Sequence, residues 1–132
     1  MIIRIVRFLL IPIALLSGCA MESRSDELSC LTVEEALAKS TSSPIRMAVC
    51  GHLRYGPEDR NLYASEAVAN NHSRGSCLSL GESSRLAVNL ESYDRDQVKV
   101  IGLVQSDFCP EDAICLGSCS SSGMFVEEIS LE

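Results

Sequence analysis

From Ile45 to Arg54 the chain reads "IRMAVCGHLR", with Ile45, Met47, Val49, Gly51 and Leu53 on one side of a period-two pattern. Arg46, Ala48, Cys50, His52 and Arg54 fall on the other side. Successive side chains of an extended strand point to opposite faces, so the segment is a strand with one buried side. A second run, "VKVIGLV" at 98–104, is the most strand-like in the chain through its β-branched content. Shorter strands are expected at "LYAS" (62–65), "CLSLG" (77–81), "RLAVNL" (85–90) and "MFVEEISLE" (124–132). Gly-Pro and Asp/Asn content marks "YGPEDRN" (55–61) as a turn, and "SYDRDQ" (92–97) is another.

One helix precedes the strands. Thr32 followed three residues later by Glu35 has the form of a capping box, in which each side chain satisfies the other's backbone donor. Glu34 and Glu35 in the first turn and Lys39 near the end suit the helix dipole, which predicts a helix over 33–40 with Pro44 beyond its stop. The stretch 65–76 accommodates one helical turn after Ser65 and then a loop ending near Gly75. The sum is a mainly β chain of five to six strands with one short N-terminal helix. Gly51 and Gly102 inside its strongest strands suit bulges or sharp bends that let a sheet curl into a barrel.

The first twenty residues follow another logic. Arg4 and Arg7 lead into the apolar run 8–16, which is too short for the roughly 20 apolar residues a membrane-spanning helix needs. A basic start, an apolar core and a small-residue exit form the layout of a secretory signal. The exit, Leu16-Ser17-Gly18-Cys19, resembles the lipobox of bacterial lipoproteins. That resemblance implies that Leu16, Ser17 and Gly18 are the signal-recognition residues and that Cys19 becomes an acylated N-terminus. Several acyl chains, each CH₂ contributing about 0.8 kcal/mol on burial, hold a protein stably in a bilayer. Ala20 after the anchor implies, by the same resemblance, the outer membrane with the domain in the periplasm. The chain then divides into a signal peptide (1–18), a lipidated tether (19–29) and one domain (30–132).

Processing at Cys19 removes 18 of 132 residues and two of the 11 basic ones, leaving 9 against 18 acidic and a formal charge of 9 − 18 = −9. Nucleic-acid binders displace counterions from phosphates with Lys and Arg, and no basic cluster exists here, so no nucleic-acid partner is expected. An acidic surface favours a cationic protein partner. Beyond Cys19, the six cysteines Cys30, Cys50, Cys77, Cys109, Cys115 and Cys119 read in an exported chain as up to three disulfides with pairing open. Cys-x5-Cys and Cys-x3-Cys spacings in "CPEDAICLGSC" do not match a zinc site, and no metal or cofactor is expected.

The strand order from "MAVCGHLR" through "NLYAS" and "CLSL" to "QVKVIGLV" is similar to an OB-fold, a small five-stranded barrel. Such a fold does not by itself establish a function. No catalytic signature such as G-x-S-x-G or H-E-x-x-H occurs, and the acidic pairs lack EF-hand spacing. His52, Arg54, Tyr55 and Tyr63 form the candidate binding face, with His52 on the outward side of its strand; His72 falls in a loop. The expectation is a non-enzymatic envelope lipoprotein that binds or supports another component. An inhibitor or immunity protein against a cationic wall hydrolase or toxin is the alternative, ahead of a hydrolase using His52.

Overall fold

A computed structural model describes residues 28–71, 76–82, 88–109 and 119–132. The signal residues Leu16, Ser17 and Gly18, the anchor Cys19, most of the tether, His72, Leu86 and Cys115 lie outside the described residues. The described chain is mainly β: β1 (Cys30–Leu31), β2 (Ile45–Gly56), β3 (Asp59–Tyr63), β4 (Cys77–Glu82), β5 (Gln97–Gln105) and β6 (Gly123–Leu131). Two short helices, α1 (Val33–Lys39) and α2 (Glu66–Asn70), and a 3-10 turn (Leu90–Tyr93) complete it.

The helix over 33–40 forms as expected, one residue shorter. Thr32 Oγ1 accepts from the Glu35 amide at 3.1 Å, which satisfies one of the donors that a helix start leaves without a partner. Val33 and Ala36 are fully buried and pin α1 to the core, where it packs on β2 and β4.

β2 organises the sheet. Its second half pairs antiparallel with β3 from His52↔Tyr63 to Gly56↔Asp59, while Ile45 to His52 pair antiparallel with β5. β3 continues to β4, β4 runs parallel to β6, and β6 pairs antiparallel with β5. The pairings therefore run β2-β3-β4-β6-β5 and return to β2, with β1 added in parallel at Ala48 and Val49. The inward side of the period-two pattern is the core: Met47, Val49 and Leu53 from β2 meet Leu62, Leu78, Val98, Val100, Met124 and Val126.

Both strand glycines sit where backbones approach closely. A Cβ on Gly51 would stand 2.5 Å from the Tyr63 carbonyl oxygen, and one on Gly102 would stand 2.1 Å from that of Phe125. The β5–β6 register slips between Ile101 and Gly102, so Glu127 is the extra residue of a bulge. Its carboxylate bonds the Arg46 guanidinium at 3.1 Å.

Two expectations need correction, and two elements add to the reading. The turn over 55–61 is a tight hairpin, because Gly56 already pairs with Asp59 and only Pro57 and Glu58 lie between the strands. The strand expected over 85–90 is not one at its described end: Val88 and Asn89 are unpaired in the sheet and Leu90 opens the 3-10 turn. There the Ser92 hydroxyl donates to the Asn89 carbonyl and the Asp94 amide to that of Glu91, local bonds that replace a ladder. The helical turn expected after Ser65 forms as α2, with Ser65 Oγ accepting from the Val68 amide. β1 was not expected, since two residues carry no periodicity.

Two disulfides hold this frame. Cys30–Cys50 joins β1 to β2 with Cα atoms 5.6 Å apart, and Cys77–Cys119 ties β4 to the segment before β6 at 6.2 Å. Cys109 is disulfide-bonded as well.

Candidate functional site

The expected binding face divides in two. On the outer side of the sheet His52 stands opposite Tyr63, and both are buried, at 4% and 3% exposure. The cover is α2, whose Val68 and Ala69 pack with Tyr63 and the Cys77–Cys119 bridge. His52 keeps the strand face read from the sequence but is no surface residue: elements far from it in the chain close over it. Its Nε2 is buried and has no hydrogen-bond partner among the described residues. Burial pushes its pKa below the usual histidine range near 6.5, helped by Arg54 and opposed by Glu66, Asp94 and Asp96.

Tyr63 donates its hydroxyl to Asp59 Oδ1 at 2.8 Å. Burial and that carboxylate raise its pKa to about 12, so the phenol stays protonated. Asp59 Oδ1 also accepts from Asn61 Nδ2 at 2.6 Å. Asn61 and Ser79 are buried, and both accept from the Cys119 amide at 3.2 Å. This polar seam holds 119–122 across β3 and β4. Asn61 and Ser79 escape a sequence reading because their partner is a backbone amide at a distant position.

Arg54 and Tyr55 remain accessible and line a cleft of about 370 Å³. It opens at the β2–β3 hairpin, between α2 and the turn that precedes β5, and its other walls include Asp59, Asn70, Asp94 and Arg95. The walls are tied together. Arg54 donates to Asn70 Oδ1, and the Tyr55 amide donates to Asp94 Oδ1 at 2.8 Å. The Arg60 guanidinium lies 5.2 Å from the Tyr55 ring centre, within cation–π range.

Arg95 is the residue the sequence reading missed. Asp94 has φ −54° and ψ 129°, Arg95 has φ 69°, and the Asp96 amide donates to the Tyr93 carbonyl at 3.0 Å. This is a type II turn with arginine where glycine is preferred. The Arg95 amide donates to the Leu53 carbonyl at 2.8 Å, and the Leu53 amide to that of Asp96, which seats the turn on β2. Two guanidiniums thus flank the cleft among fixed carboxylates, an arrangement suited to a ligand with separate acidic and polar groups.

Among the described residues no group of three His, Cys, Asp or Glu side chains could hold a metal ion, and no helix is long and apolar enough to cross a membrane. No family model, curated protein or solved structure matches the chain.

Proposed function

We propose that this chain is a lipid-anchored envelope protein that binds a ligand without transforming it. In this reading residues 1–18 direct export, Cys19 carries the lipid in the outer membrane, and the domain works in the periplasm. The closed run of pairings is an OB-like barrel, a reading supported by its five-strand circuit and by the bulge at Gly102. The observation that carries the binding role is the cleft, where Arg54 and Tyr55 meet Asn70, Asp94 and Arg95. His52, the imidazole that a hydrolase reading would need, is buried and outside the walls of that cleft.

A pull-down from intact envelopes with the acylated protein tests this. The wild type should retain a component that an Arg54→Ala, Arg95→Ala double variant loses; equal recovery by both removes the cleft as the site.

The second reading, an inhibitor of a cationic hydrolase, draws on Glu58, Asp59, Glu91, Asp94 and Asp96 gathering around the Gly56 end of β2. Titrating the domain against a basic muramidase during wall lysis checks it, and unchanged lysis removes that target.

A further inference from the structure

The opposite end of β2 has a different chemistry. Ile45 opens the strand at 38% exposure, an unusual position for a large apolar side chain in a chain this acidic. Beside it lies a groove of about 460 Å³ whose apolar walls include Leu28, Leu31, Ile45 and Met47. Lys39 and Arg46 stand at its rim. The outer face of the same end is apolar too: Arg46 pairs with Leu103 and Leu103 with Phe125, and these two are 36% and 40% exposed. Phe108 packs on Phe125 with ring centres 4.9 Å apart and widens the patch. Among the described residues, three of the four exposed large apolar side chains therefore share one end of the molecule. The fourth, Leu131, pairs with Val98 at the other end of β5.

We infer that this end, from the groove at Leu28 to Leu103 and Phe125, docks on the phospholipid surface of the membrane in which Cys19 is anchored. The inference rests on the lipid anchor proposed above. Position on the chain argues for a bilayer over any other occupant. Only residues 20–27 separate Cys19 from Leu28 at the groove's lip, a reach of about 30 Å at full extension. The groove is held within that distance of the bilayer at all times. Charge at this end is mixed, unlike the acidic far end: Lys39 and Arg46 flank the groove, Glu127 pairs with Arg46, and Asp107 stands exposed beside Phe108. The acids of the far end, Glu58, Asp59, Asp94 and Asp96, would be repelled by anionic head groups. β2 has 12 residues, so docking holds the cleft about 35 Å from the lipid, facing the aqueous space.

The test uses the acylated full chain on vesicles of phosphatidylethanolamine and phosphatidylglycerol. Intact mass and flotation report the anchor; hydroxyl-radical labelling reports the face, against the Cys19→Ser chain free of vesicles. Labelling at Ile45, Leu103 and Phe125 should fall about fivefold on vesicles, as expected for side chains sunk into the head-group boundary, with Leu131 and Tyr55 unchanged. A floating, acylated chain labelled equally in both states overturns the docked face and leaves the anchor standing. An unmodified Cys19 with no flotation overturns both. Protection that appears without vesicles and grows with protein concentration assigns the patch to a second copy of the chain and overturns the bilayer.

Discussion

Arg95 holds a backbone conformation that costs an L-residue with a Cβ about 1–2 kcal/mol. Replacing it with glycine relieves that cost, partly offset by the freedom glycine gains in the unfolded chain. Arg95→Gly should raise the urea midpoint by an amount equivalent to about 1 kcal/mol at unchanged m-value, while weakening capture of whatever fills the cleft. A lower midpoint would mean that the guanidinium stabilises the fold rather than serving the cleft. His52 makes a prediction in pH. Its pKa is lowered in the folded state, so the unfolded chain takes up the proton first; stability is whole above about 6.5 and declines as pH falls below it, by at most about 1.4 kcal/mol per unit. Urea unfolding at pH 7.5 and 5.5 should show this loss, and His52→Leu should diminish it. Half of the candidate face was readable from residue types alone. Arg54 and Tyr55 are where a period-two strand ending in a turn puts them, but Tyr63 is buried by α2 and Cys119, which no local pattern connects to it, and His52 is buried opposite Tyr63.

Elements differ in how much of their stability is local. α1 announces itself through Thr32, Glu35 and Lys39, and the Thr32 half of its cap forms as expected. Thr32→Ala should cost about 1 kcal/mol in equilibrium unfolding without changing the fold, as judged by circular dichroism. The segment around Leu90 shows the reverse. Its alternating apolar residues satisfy a strand pattern, yet Leu90 reaches the core from a 3-10 turn, because a link between β4 and β5 can bury single side chains without pairing its backbone. The disulfide Cys77–Cys119 spans 42 positions and closes a loop whose entropy in the unfolded chain is worth about 4 kcal/mol. A Cys77→Ala, Cys119→Ala double variant should lose about 2–4 kcal/mol, measured by denaturant unfolding. Retained stability would show that the seam of Asn61, Ser79 and the Cys119 amide suffices to hold 119–122.

At the scale of the molecule, the mainly β character and five of the six described strands are legible in the sequence, one from its period-two pattern and four from strand-like runs between turns, but the closure of the pairings is not. Closure needs β2 to bond β3 with one half and β5 with the other, and it turns at Gly51 and Gly102, where the neighbouring carbonyl leaves no room for a methyl group. Gly102→Ala should therefore destabilise by about 1–3 kcal/mol as β5 and β6 are pushed apart. Because every described strand reaches β2 directly or through one neighbour, the described residues should melt as one unit. Far-ultraviolet dichroism and tyrosine fluorescence should give coincident transitions with the disulfides intact. Separate transitions would divide the sheet into independent parts.

The short parallel strand at Cys30 has a mechanical meaning. Any tug transmitted up the leading segment from an attachment point arrives at residue 30, where a covalent bridge hands it straight to Cys50 in the middle of the longest strand. Tension thus bypasses the two-residue ladder it would otherwise unzip, and the load is shared by the ladders on both flanks of the central strand, so the globule is gripped by its backbone rather than by its fringe.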